Sequence, residues 1–311
     1  MKTKAKLILA MSVLTAGVVA AGATGTFAWF TTNRAAQLNY TNVIAQKNAG
    51  NLDVHMGAGT SKSGFSAGTK AVTGPGHDIA YVEKSAATDS NAKISDVSSG
   101  DGLKFVKPIW QTVSGNNQVA TTYKDGVWGV DYTTFWFKVT NTGTNPLNVY
   151  LNSATAIKGV ENADAEQKAK NDAAAKVARV AINAASKGEG DAPVMPSTAT
   201  KTWILENKSA VNQQYVTPGL ADGTQAALST ITGEKVNAFV LNDSPALQKI
   251  DSSSHPAQQL LVESLAKENS AYFVVSVWLE GTKDQNDNFD NAAGGSISVL
   301  LDLAGTEVFK A

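Results

Sequence analysis

Residues 132–151 read Tyr132-Thr133-Thr134-Phe135-Trp136-Phe137-Lys138-Val139-Thr140-Asn141-Thr142-Gly143-Thr144-Asn145-Pro146-Leu147-Asn148-Val149-Tyr150-Leu151. In the first half, Phe135, Phe137 and Val139 recur at every second position, which puts them on one face of an extended chain. In the second half, Leu147, Val149 and Leu151 do the same. Asn141-Thr142-Gly143 lies between them and has the composition of a turn. The stretch predicts two strands joined as a hairpin.

The same alternation recurs outward from this block. Asn51 to Met56 alternates polar and apolar residues, and Val177 to Ile182 does so again. Thr202–Leu205, Val236–Leu241, Tyr272–Leu279 and Ser296–Leu303 read as further strands. Residues 57–102 are rich in Gly, Ser, Thr and Ala, with Gly74-Pro75-Gly76 in the middle, and predict mostly loop with a strand at Ile79–Val82. Leu103 to Val113 is strand-like, and Pro108 within it suits an edge or a bend. Glu161 to Lys176 differs: it has no Gly or Pro, is rich in Ala, Glu, Gln and Lys, and predicts one helix of about four turns on the outside. Ala257 to Lys267 is a second helix candidate. About eight short strands with long polar connections predict a mainly β fold. The expected architecture is a jelly-roll-like β-sandwich decorated with one or two helices and long loops.

Composition bounds the function. The chain has 311 residues, 43% apolar and 17% charged, which is enough apolar content for a large core. Its formal net charge of −1 gives no basic face for nucleic acid. No cysteine is present, so disulfides, thiolate metal sites and a cysteine nucleophile are all excluded. Lys2, Lys4 and Lys6 precede an apolar run from Leu7 to Ala21, and Thr26-Phe27-Ala28 offers small residues where a signal peptidase reads them. The expected organisation is a signal peptide over 1–28 cleaved after Ala28, a leader over 29–50, and a sandwich domain over 51–311 with a helical insertion near 161–176. Cleavage removes three lysines and takes the net charge to −4. No other run is long and apolar enough to hold the mature chain in a membrane.

Catalytic patterns are sparse. Asp284, Asn286, Asn288 and Asp290 place oxygen side chains at alternate positions, as in the first half of a calcium loop. The sixth place is Phe289 rather than glycine and the twelfth is Gly295 rather than glutamate. A polar loop between strands is the competing reading, and no other cofactor is expected. His55, His77 and His255 lie far apart and show no metal-ligand spacing. There is no Gly-x-Ser-x-Gly elbow and no Gly-Lys-Ser/Thr loop. Among the six tryptophans, Trp128 in Lys124-Asp125-Gly126-Val127-Trp128-Gly129 is the best placed to stack on a sugar ring. Trp136 and Trp278 sit inside strands and suit a core.

Three features resemble the TasA/camelysin family of secreted matrix proteins. One is the junction Gly25-Thr26-Phe27-Ala28 followed by the aromatic pair Trp29-Phe30. Another is the distance from that junction to Ala49-Gly50-Asn51-Leu52-Asp53-Val54. The third is Phe137-Lys138-Val139-Thr140-Asn141-Thr142-Gly143. The resemblance implies a protein exported through a SipW-type signal peptidase to the bacterial surface or biofilm matrix. There it would polymerise with copies of itself, with or without an accessory matrix protein. It also implies donor-strand complementation, in which an N-terminal segment adds a strand to the next subunit and satisfies an open sheet edge. The donor strand would run from Trp29 to about Tyr40, with Phe30, Thr32, Arg34, Ala36, Leu38 and Tyr40 on one face. The competing reading is that this segment pairs within its own subunit or is a tail. Some members of the family have been classed as metallopeptidases. This chain has no His-Glu-x-x-His, so the expectation is a structural protein and no enzyme. A calcium- or carbohydrate-binding surface sandwich is the alternative.

Overall fold

The computed structural model describes residues 28–29, 35–46, 52–70, 72–74, 77–82, 92–113, 117–151, 155–207, 214–217, 227–230, 236–241, 260–283 and 292–308. The first strands are β1 (Ala28–Trp29), β2 (Ala35–Gln46), β3 (Leu52–Ala58), β4 (Thr69–Lys70), β5 (Val72–Gly74), β6 (His77–Val82) and β7 (Ala92–Val97). Then come β8 (Val106–Val113), β9 (Asn117–Asp125), β10 (Tyr132–Asn141), β11 (Leu147–Leu151), β12 (Ala156–Gly159), helix α1 (Ala165–Val177) and β13 (Ala178–Lys187). After a short 3-10 turn the chain continues through β14 (Pro193–Val194), β15 (Thr202–Asn207), β16 (Gln214–Thr217), β17 (Ala227–Thr230) and β18 (Val236–Leu241). The last strands are β19 (Leu260–Leu265), β20 (Ser270–Glu280), β21 (Thr282–Lys283) and β22 (Ser296–Glu307).

Two layers emerge from the pairing. The first runs β4-β3-β10-β20-β13-β15-β18, and the second runs β5-β6-β2-β22-β11-β19, with β12 also on β22. Pairing is antiparallel except for β15 with β18, β2 with β22 and β7 with β20. Strand β7 serves both layers: Ala92–Ser95 pairs with β2 of the second, and Asp96–Val97 pairs with β20 of the first. The described strands and single α-helix form a sandwich in which few residues are helical.

One core fills the space between the layers. The first contributes Phe135, Phe137, Val139, Phe273, Val275, Val277, Val180 and Ile182. The second contributes Leu147, Val149, Leu151, Ile297, Val299, Leu301 and Leu303. Each of these strands donates alternate residues, as its period of two requires. Full burial of each large apolar side chain contributes roughly 1.5–3 kcal/mol, so this cluster is the main stabilising term.

The outward face of the first layer is also covered. Val97, Phe105, Tyr132, Ala181, Ile204 and Trp278 form a second, smaller cluster on it. The chain from Ser99 to Phe105 lies over that face. Asn183 Nδ2 donates to the Asp101 carbonyl at 2.8 Å, and Ser276 Oγ donates to the Gly102 carbonyl at 2.6 Å. Beside it, the Trp136 indole N–H donates to the Ser66 carbonyl at 3.0 Å. The indole lies against Gly57 and Gly68, where an added Cβ would meet the ring at 2.4 and 2.6 Å.

Three expectations from the sequence are corrected. Residues 132–151 do not form a hairpin. β10 pairs with β20 and β3, whereas β11 pairs with β19 and β22, so the turn at 142–146 crosses from one layer to the other. Residues 257–267 are not a helix where described: 260–265 is strand β19, whose chain then crosses into β20 of the opposite layer. The two crossings lie side by side, and the folded-over pair of strands is the wrapping that a jelly roll uses. Asn141 pins them: its Nδ2 donates to the carbonyls of Asn145 and Leu265, both at 2.8 Å, and its Oδ1 accepts from Gly143 N–H at 2.8 Å. Last, the stretch over 57–102, expected to be mostly loop with one strand at 79–82, carries that strand as β6 and also β4, β5 and β7.

The helix starts later than the composition predicts. Asp164 is its N-cap, with the carboxylate accepting from Gln167 N–H at 2.9 Å. Buried Asn171 anchors it by donating to the Val160 carbonyl at 2.6 Å and accepting from Ser296 N–H at 2.8 Å.

Candidate functional site

β19 borders the second layer, and among the described residues it pairs only with β11. Between β19 and the adjoining ends of β13 and β20 opens a groove of about 650 Å³. Leu261, Leu265 and Phe273 give it an apolar lining, and Lys187, Asp191 and Tyr272 give it a polar one. Lys201 reaches from the first layer to donate to the Leu261 carbonyl of β19 at 3.3 Å, with its ammonium 4.7 Å from the centre of the Trp203 ring. Burial lowers the Lys201 pKa.

The polar part is a charge cluster built from three places in the chain. Lys138 and Tyr272 are direct partners across the β10–β20 ladder. Asp191 follows Gly190 in the turn after β13, and both have positive φ, 70° and 63°. That turn returns the chain over the sheet and aims the Asp191 carboxylate at the pair. Lys138 Nζ sits on Asp191 Oδ2. Tyr272 Oη donates to Asp191 Oδ1 at 2.5 Å, and Lys187 Nζ stands 3.4 Å from the same oxygen. Lys138 and then Tyr272 hold the Asp191 carboxyl down to about 2. Burial, reinforced by the hydrogen bond to Asp191, pushes the Tyr272 hydroxyl up to about 12. Asp191 is therefore a carboxylate and Tyr272 a phenol near neutral pH, and the cluster rests as an ion pair. Lys138 is the charged residue of a strand otherwise free of charge, and that was the one mark it left in the sequence. Asp191 and Tyr272 carry no short-range spacing that could have joined them to it.

A second buried ion pair lies on the covered face of the first layer. Arg179 Nε is 2.8 Å from Glu206 Oε1, and both side chains are at most 3% exposed. Burial raises the Glu206 pKa against the lowering effect of Arg179.

The expected site residues fall as follows. Ala28 and Trp29 form β1 and pair with Lys283 and Thr282. Phe30, Thr32 and Arg34 lie outside the described residues. Ala36, Leu38 and Tyr40 belong to β2, which pairs with β22 on one side and with β7 and β6 on the other, all within the same chain. Asp284, Asn286, Asn288 and Asp290 lie outside the described residues, as does His255. His55 Nε2 stands 3.5 Å from the Asp53 carboxylate, and His77 is on β6. Among the described residues no three His, Cys, Asp or Glu side chains gather as a metal site. The Trp128 indole is half-buried against the second cluster, and its N–H donates to Thr134 Oγ1 at 2.9 Å. No helix among the described residues is long and apolar enough to cross a membrane. Comparison with protein-family models, with curated proteins and with solved structures finds no match to this chain.

Proposed function

We propose that the protein is a secreted structural subunit that polymerises into filaments at the surface or in the matrix of a bacterium. Polymerisation occurs by exchange of β2 between copies. The observation that carries this reading is the position of β2. It precedes the rest of the sandwich in the chain, yet it fills the slot between β22 and the β6–β7 side of the second layer. A neighbouring copy's β2 can make the same backbone pairing, since the slot is defined by β22, β6 and β7 and not by chain continuity. Each copy that gives β2 away then needs another copy's, and a head-to-tail contact of this kind grows without closing. Export rests on the signal-like residues 1–28, and a matrix partner that starts assembly is compatible with it.

The test uses protein starting at Trp29. Copies carrying Val43→Cys are mixed with copies carrying Leu301→Cys, two positions that are register partners in the β2–β22 ladder. Oxidised filaments seen by electron microscopy, with disulfides joining the two kinds of copy, are the expected result. A protein that stays monomeric at every concentration, or filaments without that cross-link, overturns the exchange.

A further inference from the structure

We propose that Lys138 and Asp191 become joined by an amide between their side chains, an intramolecular cross-link that the folded protein makes on itself. The chain has no cysteine, so this would be its one covalent staple among the described residues. Four observations carry the inference. The Lys138 side chain is 11% exposed, so its ammonium is held almost out of water. It is packed directly on Asp191 Oδ2. The other carboxylate oxygen, Oδ1, takes the Tyr272 hydroxyl and faces the Lys187 ammonium. Asp191 itself is held by a turn in which it and the preceding Gly190 both have positive φ.

These groups divide the labour of a condensation. A proton passes from Lys138 Nζ to Asp191 Oδ2, leaving a neutral amine and a carboxylic acid. Nζ adds to the carboxyl carbon, and negative charge gathers on Oδ1, where Tyr272 and Lys187 stabilise it. Nζ then gives a second proton to Oδ2, the C–Oδ2 bond breaks, and Oδ2 leaves as water. Nothing is oxidised or reduced, and the sum is ammonium plus carboxylate going to amide plus one water. Asp191 is 42% exposed, so the released water has a way out. Groups fixed in contact reach effective molarities of roughly 10⁵–10⁸ M, which pulls a condensation that free amines and carboxylates in water do not complete. The product also removes a buried ammonium, a state that proteins keep only when it is paired. The ion pair is the resting form, so closure is a slow maturation step that follows folding.

Intact-mass spectrometry on the purified, denatured chain tests this after incubation at the growth temperature. The expected mass is lower than the sequence mass by one water, and tandem spectra contain a branched peptide linking Lys138 to Asp191. Lys138→Arg and Asp191→Ala each restore the full sequence mass. Asp191→Asn expels ammonia in place of water and arrives at the same final mass as the wild type. Tyr272→Phe slows the mass change at least tenfold without abolishing it. A wild-type chain that keeps its full sequence mass overturns the proposal. So does a water loss confined to one linear peptide, which marks a cyclised aspartate instead.

Discussion

At the scale of single residues, the covered face of the first layer depends on a close approach at Gly102. Gly102 has φ of 69°, and an added Cβ would stand 2.1 Å from the Ala181 Cβ. Left-handed backbone alone costs an ordinary residue roughly 1–2 kcal/mol, and the steric overlap adds to it. Gly102→Ala is expected to lose about 3 kcal/mol or more in urea denaturation, with partial recovery in Gly102→Ala/Ala181→Gly. A single variant as stable as the wild type would mean that the Ser99–Phe105 segment does not lie on the sheet. Asp131 sets an acid limit on the same face. Its Oδ1 accepts from Ser95 Oγ and Lys107 Nζ, both at 2.6 Å, and its Oδ2 accepts from Val127 N–H at 2.8 Å. Burial pushes this carboxyl up, but Lys107, Ser95 and the Val127 N–H outweigh it and hold the pKa below its ordinary value. A depressed carboxyl pKa contributes stability above the unfolded value of about 3.9, and that contribution is lost as pH falls through the folded value. The melting temperature of the wild type should therefore fall more steeply below about pH 4 than that of Asp131→Asn. Parallel curves would remove Asp131 from the acid response.

At the scale of elements, Asn141 is the residue on which the two crossings depend. Besides its side-chain bonds, its backbone exchanges hydrogen bonds with the neighbouring turn: Asn141 N–H to the Asn269 carbonyl at 3.0 Å, and Glu268 N–H to the Asn141 carbonyl at 2.8 Å. Asn141→Ala leaves buried partners unsatisfied and is expected to cost about 2–4 kcal/mol, read as a lower urea midpoint with an unchanged slope. Asn141→Asp should be nearly as costly, because a carboxylate cannot donate to the two carbonyls. The Asn-Thr-Gly signal was legible in the sequence, and so was the alternation on either side of it. The partner strands were not. A period of two reports which side of a strand is buried, and says nothing of whether the next strand lies beside it or across the core. β19 misled for a different reason. Leu261 and Leu265 are buried while Glu263 between them is exposed. The register with β11 is irregular and Ser264 has φ of 49°, so the strand loses its period and presents apolar residues four apart, as a helix does.

At the scale of the whole molecule, the sandwich class was legible because its evidence is distributed over many strands. The position of β2 was not: Leu38, Tyr40, Val43 and Ile44 keep no single period of two, and nothing in 35–46 marks an interior strand. The groove and the Lys138–Asp191–Tyr272 cluster were equally hidden, since three distant segments meet there only after the first layer has formed. One consequence of the β2–β22 pairing is mechanical. The two strands run parallel, Gln37 beside Ser296 and Ala45 beside Leu303. Tension that draws the start of β2 away from the end of β22 therefore acts along both strands in opposite directions. The ladder must slide as a unit, with its hydrogen bonds loaded together, whereas antiparallel end strands pulled the same way would unzip rung by rung. Pulled from its two ends in a force spectrometer, the molecule should hold to a single high rupture peak. A gradual yield at low force would mean that the load enters the sandwich somewhere other than this parallel seam.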